Sequence, residues 1–125
     1  VATGADEVSK LLECIGVGHD STDTNLHIFH NDGAGFCTKI DLGSNFPSNT
    51  TNVDVYELAL FARPNGSEVM YEVTRLNTGH SATGTITTDL PASDTLLMPI
   101  FNRSNGPTTE SVAIDMMGLY IETDY

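Results

Sequence analysis

The chain has 125 residues, and 17 Asp and Glu against five Lys and Arg leave it a formal net charge of -12. That length suits one domain that can bury a core without metals or disulfides. The charge repels nucleic-acid backbones, no basic-then-apolar leader is present, and no run nears the roughly 20 apolar residues of a membrane span, so a water-soluble unit without nucleic-acid binding or membrane insertion is expected.

The apolar segments are short, rich in Val, Ile, Leu, Thr, Tyr and Phe, and fenced by Gly, Asn, Pro, Ser or Asp, which is the pattern of an all-β chain. The stretch DEVSKLLECIG also fits a short helix, but Gly16 and Gly18 follow at once, so 8–17 is expected to be a strand with a frayed start. Over 25–30, alternation places Leu26, Ile28 and His30 on one face and His27 with Phe29 on the other. Gly33 and Gly35 supply the turn into a strand over 36–42. GSNFPSNTTN then makes a long polar connection in which Pro47 prevents ladder pairing. Residues 53–62 set Tyr56, Leu58 and Leu60 against Val55, Ala59 and Phe61, and two apolar faces predict a central strand.

Arg63-Pro64-Asn65-Gly66 reads as a turn, because proline presets φ and the Asn-Gly pair tolerates positive φ. The return strand sets Val69, Tyr71 and Val73 opposite Met70, Thr74 and Leu76. NTGH turns the chain into the strand SATGTITTDL, and PASD turns it again. Residues 95–101 read as a strand that Pro99 confines to an edge or a bulge. After the loop NRSNGPTTE, a last strand over 111–122 alternates Val112, Ile114, Met116 and Tyr120 with Ala113, Met117, Leu119 and Ile121. About eight strands predict a single domain over 1–125, a two-sheet antiparallel β-sandwich of jelly-roll type. The chain opens on Val1 and its last apolar run nearly reaches Tyr125, so the domain is expected to be the C-terminal piece of a longer polypeptide.

His27 and His30 have H-x-x-H spacing, but on a strand the two imidazoles project to opposite faces, so ordinary sheet histidines are expected. A narrower metal reading has one of them meeting its symmetry mates around an ion on a threefold axis. Asp20, Asp23, Asp32 and Asp41 offer oxygens suited to Ca²⁺, yet they match no EF-hand spacing, and turn aspartates more often accept backbone N–H bonds. Glu57, Glu72, Asp115 and Glu122 contain no pair singled out by a motif. Asp115, in the most apolar strand, is expected at a subunit contact or sheet end. With G-x-S-x-G, H-E-x-x-H and a phosphate loop all absent, neither enzymatic activity nor a cofactor is expected.

Cys14 and Cys37 could pair if their strands are neighbours, although buried free thiols are the stronger expectation. Sugar recognition calls for exposed aromatics beside polar loops, and Trp is absent. The candidates for ligand contact are Phe46, Asn49, Asn65, His80, Phe101, Asn102 and Arg103, with Asn45, Asn77, Asn105, Tyr120 and Tyr125 behind them.

Four segments, IGVGHDSTDTNLHIFHNDGAGFCTKIDLGSNFP, VYELALFARPNGSEVMYEVTRLNTG, GTITTDLP and MMGLYIETDY, together resemble the C-terminal jelly-roll, lectin-like domains of bacteriophage tail fibres and tailspikes. The resemblance spans most of the chain, from about residue 15 to its end, and rests on structural signatures without a catalytic group. It implies a homotrimer on a virion appendage, acting outside the cell as a non-enzymatic receptor-binding module for a bacterial surface glycan or outer-surface protein. The alternative it allows is a trimerising cap without receptor contact; a glycan-cleaving domain ranks lower.

Overall fold

The computed structural model describes residues 7–48, 50, 52–105, 109 and 111–123. Period-two alternation in the two halves of the chain builds two three-stranded antiparallel sheets, each a meander in chain order. The first holds β1 (Cys14–Gly18), β2 (His27–Asn31) and β3 (Thr38–Asp41). The second holds β4 (Tyr56–Ala62), β5 (Val69–Arg75) and β6 (His80–Ile86). The protein is therefore an all-β, two-sheet antiparallel sandwich, with six strands among the described residues where about eight were expected.

Each sheet turns one apolar face toward the other. Ile28, Phe46, Val73 and Ile86 form the buried centre, and Ile15, Val17, Leu26, Ile40, Leu42, Tyr56, Leu58, Tyr71, Ala82 and Leu90 pack around it. Ile28 and Val73 are fully shielded from solvent. At about 25 cal/mol per Å² of apolar surface, side chains buried this completely each contribute roughly 1.5–3 kcal/mol. The alternations read from sequence hold here: Ile28 and His30 share a face, and Val69, Tyr71 and Val73 share another.

β2 is covered on its second face as well. Phe29 and Asn31 point outward from the sandwich yet are buried. Around them lies a single 3-10 turn at Val8–Lys10, which leans on the onset of β3 through the Cys37 N–H to Ser9 carbonyl bond of 2.8 Å. Val8 and the Phe29 ring both come up against Gly18, within ordinary contact distance of where its Cβ would stand. A strand with a frayed start was expected over 8–17; the strand begins only at Cys14, and Val8–Lys10 takes the 3-10 turn. Glu13 sits at φ +50°, a left-handed value that interrupts a strand.

The turns follow their local chemistry. The Gly66 N–H bonds the Arg63 carbonyl at 2.8 Å, and Asn65 carries a positive φ of 53° between Pro64 and Gly66. Pro47 was expected to prevent pairing, yet it sits in a single antiparallel bridge with Asn25, because its neighbours supply the bonds its nitrogen cannot: Leu26 N–H on the Phe46 carbonyl and Ser48 N–H on the Thr24 carbonyl.

Three expectations need correction. β4 is an edge strand rather than a central one, because β5 pairs with one side of it and no described strand pairs with the other. Its apolar second face stays open, with Phe61 more than half exposed. The strands expected over 95–101 and 111–122 are absent: no ladder is formed there, and large side chains of both parities face solvent. Alternation marks a chain as ready for a sheet, but a strand exists only with a hydrogen-bonded neighbour.

At Gly84 the sheet leaves little room for a side chain. Gly84 stands opposite Tyr71 across the β5–β6 pair, and an added Cβ would lie 2.6 Å from Tyr71 Cε1. Gly84→Ala is expected to cost about 1–3 kcal/mol by displacing that ring. Urea denaturation checks this, and an unchanged midpoint would contradict the close approach of Tyr71.

Candidate functional site

The densest polar chemistry gathers at one end of the first sheet, where the 19–24 loop meets β3. Lys39, projecting from β3 on the outer face with Phe29, reaches Asp20 Oδ2 at 3.1 Å and Asp23 Oδ2 at 2.5 Å. Its ammonium also lies 5.3 Å from the centre of the Phe29 ring, a cation–π distance. Asp20 Oδ1 accepts the Ser9 N–H at 3.0 Å, and Asp23 Oδ2 accepts the Asp20 N–H at 2.8 Å. Burial opposes ionisation of both acids, but the Ser9 N–H at Asp20 and the lysine at Asp23 outweigh it and leave both carboxyls below their ordinary value. Burial likewise works against the Lys39 charge, and the two carboxylates overcome it and raise its pKa. Each group is thus held more firmly in the charged form it already has near neutrality. The cluster acts as a clamp between loop and sheet.

At the other end of β2, His30 enters the sandwich. It is 2% exposed, and its Nδ1–H donates to the Asp89 carbonyl at 2.9 Å. The Asp89 carboxylate accepts the Asp32 N–H at 3.0 Å and the Thr38 N–H at 3.2 Å, so one residue after β6 ties down both ends of the β2–β3 turn. Hydrogen bonds from Thr38 and then Asp32 hold its carboxyl below the ordinary value. Arg75 makes a third anchor, donating from Nε to Asp54 Oδ1 at 2.6 Å and from Nη1 to the Asn45 carbonyl at 3.1 Å.

His27 and His30 diverge as strand geometry requires. His27 Nδ1–H donates to the Asn25 carbonyl at 3.0 Å, with Asp23 Oδ2 at 3.7 Å. Burial keeps His30 away from any symmetry copy. Asp20, Asp23, Asp32 and Asp41 each accept a backbone N–H, Asp32 from Ala34 and Asp41 from Gly43. Among the described residues, no three His, Cys, Asp or Glu side chains are grouped to hold a metal ion.

The ligand-contact candidates are scattered. Phe46 is corrected outright: at 3% exposure its ring fills the core beside Tyr56, because the 43–48 turn folds back over the sheet edge. Asn65 sits at the β4–β5 turn and His80 at the start of β6, at opposite ends of seven-residue strands, about 20 Å apart. His80 Nδ1 is already engaged with Thr78 Oγ1 at 2.8 Å. Phe101, Asn102 and Arg103 follow one another on the exposed C-terminal chain. Asn49 and Tyr125 lie outside the described residues.

Apolar surface dominates the remaining exterior. Leu96 is 90% exposed, Met117 83% and Tyr120 82%, and Met98, Ile100, Phe101, Ile114, Met116, Leu119 and Ile121 are all about half exposed or more. Where Leu60, Ala62 and Val69 leave the sandwich, Leu97, Met98, Pro99 and Ile121 complete an open apolar groove that also reaches Ile15. Single exposed apolar residues are ordinary, but this many large ones within two short segments is not.

Sequence reasoning missed Lys39 and Asp89. Lys39 carried a usable signal, as one of only five cations in a chain with 17 acids. Asp89 carried none, since its partners lie more than 50 positions away. No helix among the described residues is long and apolar enough to cross a membrane. Comparisons of the chain with protein-family models, curated proteins and solved structures give no match.

The clamp makes stability depend on pH at both extremes. Asp20 and Asp23 are lowered on folding, so their contribution is complete above the ordinary carboxyl value of 3.8 and is lost as pH falls through the folded values. Lys39 is raised, so its contribution is complete below 10.5 and is lost as pH rises through its folded value. Lys39→Ala should cost about 1 kcal/mol at pH 7, since the cluster is partly solvated. Urea titrations at pH 7 and pH 3 check this, with the difference between variant and parent shrinking at the lower pH.

Proposed function

We propose that this chain is a non-enzymatic module of a bacteriophage tail fibre or tailspike that assembles as a homotrimer through its C-terminal apolar segment and presents loops to a bacterial surface glycan or outer-surface protein. The observation that carries the assembly half is residues 95–101 and 111–122. They alternate like strands, stand without a ladder partner, and expose large side chains on both faces. Backbone and side chains alike are suited to another β-rich surface, and a second copy supplies one with the same open β4 edge and apolar groove. The recognition half is supported by the sequence resemblance and by exposed polar turns at Asn65 and His80 on a rigid sheet.

A second reading is favoured by one observation: the candidate contact residues do not converge, and Phe46 is spent in the core. In that reading the domain trimerises and caps the appendage, while receptor contact occurs elsewhere.

Sedimentation at micromolar concentration should return the mass of a trimer, and a monomer would refute the assembly. Met117→Lys with Leu96→Lys should shift the population toward monomer by tenfold or more, because each places a charge in the association surface. Incubating the trimer with susceptible cells separates the two readings: retention on the cells supports receptor binding, and intact trimers that fail to bind support the cap.

A further inference from the structure

Cys14 opens β1 and Cys37 immediately precedes β3, on the two strands that flank β2. Their sulfurs stand 3.3 Å apart. That is closer than two sulfurs in ordinary van der Waals contact, and about 1.2 Å of approach separates it from a disulfide. Both thiols are free.

The frame around them is stiff. Cys14 pairs in register with Asn31, and the next pair along β2 toward β3 is His30 with Thr38, so the two cysteines flank the end of the central strand. Asn31 is fully buried there, donating from Nδ2 to the Leu11 carbonyl at 2.9 Å and the Gly35 carbonyl at 3.3 Å, and accepting the Gly33 N–H at 2.9 Å. The Cys37 thiol lies 3.2 Å from the Leu11 carbonyl, which also fixes the N-terminal turn beside it.

We propose that Cys14 and Cys37 are a site of intramolecular disulfide formation, a covalent staple across the first sheet that closes when the protein meets a small-molecule disulfide as oxidant. The inference is independent of the assembly and recognition proposed above. A thiolate, formed by loss of its proton to water, attacks one sulfur of the oxidant R–S–S–R, giving a mixed disulfide and releasing R–S⁻. The second cysteine, deprotonated in turn, attacks the protein sulfur of that mixed disulfide and expels the second R–S⁻. The Cys14–Cys37 bond has then formed, the two protons lost to water are taken up by the two expelled R–S⁻, and the two electrons reside on the resulting pair of R–SH molecules. Cys14, the more exposed of the pair, is the sulfur the oxidant reaches first.

Closure is expected to be slow near neutrality. Burial, then the neighbouring Cys37 and the Asp89 charge, push the Cys14 thiol up to about 12. Burial with the Asp89 and Asp20 charges raises Cys37 as well, against the hydrogen bonds from Cys14 and Asn31. Thiolate is scarce, so the pair is a structural cross-link rather than an exchange catalyst, and its closing rate should rise about tenfold for each pH unit below the thiol values.

The test incubates the native chain with oxidised glutathione at pH 7 and pH 8.5, quenches with acid, and measures intact mass with a non-reduced peptide map. Expected are a mass lower by two hydrogens, a peptide joining Cys14 to Cys37, faster closure at the higher pH, and a midpoint of thermal unfolding raised by about 5–15 °C that dithiothreitol reverses. Two persisting thiols, a stable glutathione adduct on either cysteine, or a cross-link between chains would each overturn the proposal. Because the parent chain supplies the readout, the test does not depend on how well Cys14→Ser or Cys37→Ser folds.

Discussion

Everything in this molecule depends on two sheets that each have one strongly apolar inner face. An apolar sheet face gains little while water still covers it. Setting Ile28 of β2 against Val73 of β5 and Ile86 of β6 removes both faces from water at once. Phe46, brought in from a loop, fills the remaining space between the layers.

Charge is arranged to protect that closure. A chain with a net charge of -12 repels itself on compaction, so each cation has leverage. Lys39 is set between two aspartates and Arg75 against Asp54, joining loops to strands where the acids would otherwise crowd. Asp89 works in a different way. It spends its carboxylate on backbone N–H groups of the β2–β3 region and its carbonyl on His30, so the chain leaving the second sheet becomes part of the first.

The contrast between the two ends of the chain carries the functional reading. Among the described residues, those of 14–90 form every ladder and the buried centre, whereas 95–105 and 111–123 form no ladder and leave most of their large apolar side chains in solvent. Their pattern is as β-like as that of β5, yet β5 lies between two neighbours and they have none. A surface of this kind becomes stable when another polypeptide supplies the missing ladder and apolar cover, and association is the role that best fits its chemistry.

Local rules were enough to read much of this protein from its residues. Period-two alternation identified the inner faces of β2 and β5, the Pro64-Asn65 pair announced the turn between β4 and β5, and strand geometry already separated His27 from His30. These features depend on neighbours a few residues apart, and a linear pattern records them. Only tertiary structure decided that β4 is an edge, that Phe46 belongs to the core, that Lys39 meets Asp20 and Asp23, that Cys14 lies against Cys37, and that the last two strand-like segments remain without a ladder. Each of those outcomes depends on which distant segment arrives alongside, and hydrogen-bonded pairing, burial and ion pairing are properties of two partners that no single stretch of sequence contains.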